Sequence, residues 1–452
     1  MGRTREVSFG FTYGFMDTCD YFVEEVEGGR SRESEGQAPL TRRTERVLRR
    51  QHEPVDLTVL GTARGTLESP PRAREVEDGL YLSRAWSNHL SGAAPTLDAL
   101  VRLLRARTAA QAQAAVRDVT VSCNWVLADR EGHIAYQQSG PLPRRRHSGL
   151  YPVPAWRPDL AWEGLEPATS LSSWSDPAEG VIVTANDEHN PAGGPLVVNA
   201  CMGGYRAQRI AELLARRERH TAADMMAIQC DLHSKQAERF LSVLRPLLPP
   251  STAADILRAW DLRYDAASPG ATAFEEVYAE LLREVFGRRL LGEEAWRVIA
   301  DETILLTDYF HLFDDVLLEG GPEWFAPEGR EALFARVLDQ VLGGRDAAAV
   351  PAWGQRRTIT MTNVFFQGRL PHWMGFDRRG LVLEGGRATV VQGGLFRMHG
   401  RTTTFAPSWR YVADLGRDEA LTVLAGGPSE SRFSRHYDTD VADWQAGRYK
   451  RL

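Results

Sequence analysis

Ser122 and Cys123 set a hydroxyl beside a thiol in VSCNWVLADREGHIAYQQSG, residues 121 to 140. Either would become a nucleophile if a nearby base took its proton. Asn186, in GVIVTAND, offers an amide that can cap a loop or donate to a developing negative charge. By residue type alone, capping is the commoner use. Arg206, in GGYRAQRI, falls in the first turn of an expected helix. A cation there opposes the helix dipole, which points to a specific partner. The four cysteines, Cys19, Cys123, Cys201 and Cys230, show neither CxxC nor Cys/His spacing, against a zinc site or a disulfide framework. The histidines do not cluster, and no Gly-rich phosphate loop precedes a helix, so nucleotide use finds no support.

The elements that must hold these groups follow from periodicity. VSFGFTYGF alternates and is rich in aromatics, as strands are. Residues 27–53 are polar and read as loop or a weakly held excursion, before a β-rich piece around VDLTVLGTARGTLE. Leu97, Leu100, Val101 and Leu104 recur at helical spacing behind Thr96 as an N-cap. The opening stretch divides into two strands joined at DREG, and GVIVTAND reads as a buried strand. Residues 205–345 carry the 3.6 period through YRAQRIAELLARRE, SKQAERFLSVLRPLL, ATAFEEVYAELLREVF and GREALFARVLDQVL. Strands return after 375. The expected organisation is a β-rich part over 1–204, a helical subdomain over 205–345, and C-terminal strands over 346–452.

With 452 residues, a quarter of them charged and a net charge of −6, the chain has the composition of a globular protein. The basic runs TRRTERVLRRQ and PRRRHSG lack interleaved aromatics and read as solvated surface, so no nucleic-acid partner is expected. Neither a bilayer-spanning apolar run nor a signal-peptide core is evident, which leaves location open between cytoplasmic and extracytoplasmic.

Taken in order, VSFGFTYGFMDTCDYFVEEV, SCNWVLADREGHIAYQQSGPLPRR, YPVPAW, VIVTAND, GGYRAQRI and GGPSESRFSRHYDTDVADWQAGRY resemble the penicillin acylase family of N-terminal-nucleophile hydrolases. The resemblance implies an α/β (α+β) fold, as the greater part of an αββα sandwich with a helical subdomain. Family members cut themselves into an α-chain and a β-chain. The β-chain's new N-terminal serine attacks a linear amide, with its own α-amino group as base. That serine strand lies upstream of the segment matched here by FGFTYGFMDTCD, so Ser122 is expected to be a decoy. The chain resembles a β-chain region whose first strands and α-chain partner lie elsewhere.

By the same resemblance, the Asn186 amide and the Tyr13 backbone N–H stand for the oxyanion donors, and Arg206 for the arginine that organises the site. Asp187 stands where the family has a second asparagine, and its charge would oppose an oxyanion unless paired or turned away. Phe11, Cys123 and Trp86 fall at acyl-pocket positions, with Cys123 an inert buried thiol. Asp17, the Cys19 carbonyl, Asp20 and the Gly149 carbonyl resemble ligands of a structural calcium, which takes hard oxygens. The implied substrates are N-acyl small molecules such as β-lactams or acyl-homoserine lactones. An inactive relic or a non-catalytic ligand-binding protein is the alternative.

Overall fold

The structure is a computed structural model that describes residues 1–69, 75–398 and 401–452. Two compact units, Met1–Cys201 and Met202–Leu452, divide the chain. In the first, period-2 segments pair into two sheets. One runs Gly2–Arg3, Val7–Tyr13, Cys123–Asp129, Ile134–Ser139, Ser173–Ser175, with every neighbour antiparallel. The hairpin expected around DREG is present, with Cys123 opposite Ser139 and Ala128 opposite Ile134. Alternation sends Cys123, Trp125 and Leu127 into a core with Val7 and Ala135. The helices Ala94–Arg105 and Ala109–Val116 close that core through Ala99, Leu103, Ala109, Ala112 and Ala115. Small side chains let these helices lie close on the sheet. Burying Leu103 alone contributes about 2 kcal/mol.

The other sheet runs Gln37–Pro39, Arg30–Arg32, Cys19–Glu27, Gly79–Trp86, Thr66–Leu67, His52–Gly61, Thr41–Arg49, and Val153–Pro154 lies parallel to Cys19–Glu27. Residues 27–53 are therefore largely strand rather than loop, and as a mostly exposed excursion they fit the other half of the expectation. Thr41–Arg49 pairs with His52–Gly61 as a long arm, although its whole length is exposed. His52–Gly61 buries Thr58 and Leu60, whereas hydrophobic periodicity does not report the exposed Thr41–Arg49. The opposite correction applies to GVIVTAND, where residues 181–184 adopt no strand. A β-branched run favours extended backbone, but a strand also needs a ladder partner, and none of the described segments supplies one.

The helix expected from Leu97, Leu100, Val101 and Leu104 exists, but its N-cap is Ala93 and Pro95 sits in its first turn. Thr96 instead bonds Thr120. The apolar stripe itself points outward. Leu97 is 67% exposed and Leu104 60%, while Ala99 and Leu103 face the core.

The second unit is helical over the expected span. Lys235–Leu244, Thr252–Ala259 and Pro269–Leu282 each begin after a serine, Ser234, Ser251 or Ser268, whose hydroxyl accepts an orphan N–H. Such caps are worth ~1 kcal/mol each. Together with Arg330–Leu342 these helices enclose an aromatic-rich core that includes Phe240, Phe274, Tyr278, Phe334 and Trp353. Inside it the buried Asp314 accepts hydrogen bonds from Tyr278 Oη (2.6 Å), Gln236 Nε2 (2.9 Å) and Tyr205 Oη (3.1 Å). The strands after 375 include Arg378–Val382, paired with Thr358–Met361, and Trp409–Asp414, paired with Glu419–Leu424.

Candidate functional site

The strand Val7–Tyr13 organises the candidate site. Gly14 N donates to Ser122 O at 3.2 Å. In the antiparallel register that pairs Tyr13 with Cys123, this bond makes the two a non-hydrogen-bonded pair. The N–H and C=O of Tyr13 therefore point away from Cys123, toward the outer side of the strand, and by the same alternation so do those of Phe11. On that side Gly2–Arg3 reaches only Ser8 and Phe9. Among the described residues no strand continues alongside Gly10–Tyr13.

Asn186 sits at the same place. Its Nδ2 donates to Tyr13 O (3.1 Å) and to Thr12 Oγ1. It is buried and left-handed, with φ 68°, a conformation asparagine tolerates better than most residues. The structure thus brings Asn186 and the Tyr13 backbone to one strand edge that carries no ladder among the described residues. Thr12, which anchors the amide, carries no signal in the sequence beyond its place in the strand.

Asp187 is paired. Its Oδ1 accepts from Ala185 N at 2.8 Å and lies 3.5 Å from His189 Nε2. Burial pushes its carboxyl up, but the His189 contact and the Ala185 N–H outweigh this and leave it below its ordinary value. The His189 ring packs on Tyr136 and Trp174, centroids 5.1 and 5.7 Å away, and Tyr136 Oη donates to Asn124 Oδ1 at 2.6 Å.

Phe11 and Cys123 share the helix-covered face of the sheet. Phe11 is half-exposed and tilts against Trp125 at 4.8 Å, while Cys123 is 3% exposed. Burial pushes its thiol up to about 11, as expected for an inert cysteine. Ser122 spends its hydroxyl accepting from Met16 N at 2.9 Å, which pins the turn after the strand. Trp86 lies in the second sheet, opposite Cys19 in register and edge-on to His89. Arg206 belongs to the second unit, where its Nη2 lies 3.4 Å from Met202 Sδ and its charge faces Asp308.

Asp17, Cys19, Asp20 and Gly149 also come together, with an addition the sequence did not reveal. Arg145, from the run read as solvated surface, is buried and bridges the two acids, with Nη1 2.5 Å from Asp20 Oδ2 and Nη2 on Asp17 Oδ2. Only its neighbours Arg144 and Arg146 match the surface reading. Asn199 donates to Asp17, and Trp162 Nε1 to Asp20 at 2.6 Å. Burial pushes the Asp17 carboxyl up, partly offset by Arg145. A Cβ at Gly149, where φ is 78°, would overlap the Asp17 carboxylate. The described residues contain no group of three His, Cys, Asp or Glu side chains placed to hold a metal. An ion here would rest on two carboxylates and backbone carbonyls. That donor set suits calcium, and Asp20 Oδ1 is buried without a hydrogen-bond partner.

Comparison with known proteins covers the whole chain. The family model described as penicillin amidase matches residues 1–452. Penicillin acylase 2 proenzyme of Pseudomonas sp. is 28% identical over 97% of this chain and 58% of its own length. Acyl-homoserine lactone acylase QuiP of Pseudomonas putida is 29% identical over 100% of this chain and 59% of its own. The chain therefore spans less than two thirds of these relatives. A thermostable penicillin G acylase from Alcaligenes faecalis superposes with a TM-score of 0.74 at 16% identity, over 100% of this chain and 86% of that one. That likeness supports an α/β fold related to the N-terminal-nucleophile sandwich.

Proposed function

The chain belongs to the penicillin amidase family, and we propose that it supplies the oxyanion-binding part of an N-acyl amide hydrolase. The observation that carries this reading is the meeting of Asn186 and the outward Tyr13 N–H at one strand edge. A strand bearing an N-terminal serine, contributed from outside these 452 residues, would seat along that edge. Its α-amino group, which titrates near neutrality, would take the hydroxyl proton as the oxygen attacks the amide carbon. The carbonyl oxygen becomes an oxyanion, met by Tyr13 N–H and by Asn186 Nδ2 once it exchanges a resting bond. Collapse expels the amine, which takes the proton, and water then releases the acid. Phe11 and Trp86 would face the acyl group beside the buried Cys123, and a calcium at Asp17 and Asp20 would be structural. β-Lactams and acyl-homoserine lactones are candidate substrates.

The test is the intact mass of the protein purified natively, with any chain that accompanies it. The expected result is an uncut 50.4 kDa chain beside a segment beginning with serine. Cleavage before residue 122 or 123 would make that residue the nucleophile and end this reading, as would a chain found alone and inert. In the assembled enzyme, Asn186→Gly tolerates the left-handed backbone and removes the donor. It should lower kcat by roughly 10²- to 10³-fold with little change in KM; an equal rate would remove Asn186 from the mechanism.

A further inference from the structure

The second unit holds an open cavity of about 740 Å³ beside helix Pro269–Leu282, within the range of small-molecule sites. Leu282, Trp296, Leu306, Val341 and Trp353 give it apolar walls. Its charges are unevenly matched. Arg387 pairs with Glu275, while Arg345 and Arg356 share Glu276. Glu280 is held by Arg283 and Arg288. Arg357 lines the same cavity, is 6% exposed, and has no carboxylate within ion-pair distance among the described residues. Its Nε and Nη2 are buried without a hydrogen-bond partner, and so is Thr272 Oγ1 on the same wall. Residues 395–404, LFRMHGRTTT, contain no acid that could neutralise it.

The Arg357 guanidinium lies 4.9 Å over the Trp353 ring. Burial pushes it down to about 10, which leaves it charged at neutral pH. A buried, uncompensated cation is costly, and a fold tolerates one readily where a ligand brings the countercharge.

We propose that this cavity binds a small organic carboxylate with an apolar body, its carboxylate on Arg357 and its body against the two indoles. Arg357 is the lining guanidinium that lacks a carboxylate partner among the described residues, so it matches a monoanion, and its planar fork fits a carboxylate. A phosphate dianion would crowd Glu275 and Glu276. The site lies wholly in the second unit and does not depend on amide hydrolysis.

The test titrates the full chain with octanoate, read by tryptophan fluorescence and calorimetry, against 1-octanol and inorganic phosphate. Octanoate should bind saturably at one site, and Arg357→Met should weaken it roughly 10- to 100-fold. Octanol should bind weakly to both proteins. Without ligand, Arg357→Met should melt no lower than the parent, because it removes an unpaired buried charge. Absence of saturable octanoate binding, equal binding by the variant, or tighter binding of phosphate would overturn the proposal. A lowered melting point in the variant would also count against it, by marking Arg357 as held within the fold.

Discussion

Two carboxylates sharing one guanidinium leave a buried negative surplus at Asp17 and Asp20. Arg145→Met removes their charge partner and should destabilise the protein by about 3–5 kcal/mol. If the acids also hold calcium, millimolar calcium should restore part of that loss relative to chelator, as read by denaturant midpoints. No calcium response in parent or variant would remove the metal from the account. Asp314 makes a separate prediction. Burial pushes its carboxyl up to about 7 from an ordinary 3.8, although Tyr278, Gln236 and Tyr205 donate to it. The folded state thus keeps a proton that the unfolded chain releases. Its stabilising contribution is full below 3.8 and is lost as pH rises to about 7. Asp314→Asn should flatten stability across that window, by up to about 4 kcal/mol. Urea titrations at pH 5 and pH 8 would check this; an unchanged slope would contradict it.

Among the elements, the helix Ala94–Arg105 shows what periodicity can and cannot reveal. Leu97, Leu100, Val101 and Leu104 disclosed the helix but not which side faces the sheet, because alanines filled the core instead. Leu97→Glu with Leu104→Lys respects the helix dipole and touches no core residue. The pair should shift stability by no more than ~0.5 kcal/mol and reduce self-association in light scattering. A large stability loss would show that the stripe is covered. Elsewhere the hairpin around DREG, the helical span and the strand Val7–Tyr13 were legible, since each has a period and a buried face. The arm Thr41–Arg49 has no buried face, and residues 181–184 lack a ladder partner among the described residues, so both escaped. At the candidate site, family motifs singled out Asn186 and Tyr13, which lie in contact. Arg145 was not singled out, because burial within a basic run depends on acids more than a hundred residues away.

On the scale of the whole molecule, the two units have cores of different character, alanine-rich in the first and aromatic in the second. Neither core includes the outer edge of Gly10–Tyr13. The outward backbone of Tyr13 has a kinetic consequence. A strand arriving there has no ladder to separate among the described residues, only the Asn186 amide to displace from Tyr13 O, so the joining step should be a bimolecular encounter. Its observed rate should rise linearly with the concentration of the added segment. A plateau at high concentration would reveal a slow opening step, at the Asn186 contact or at a further occupant of that edge.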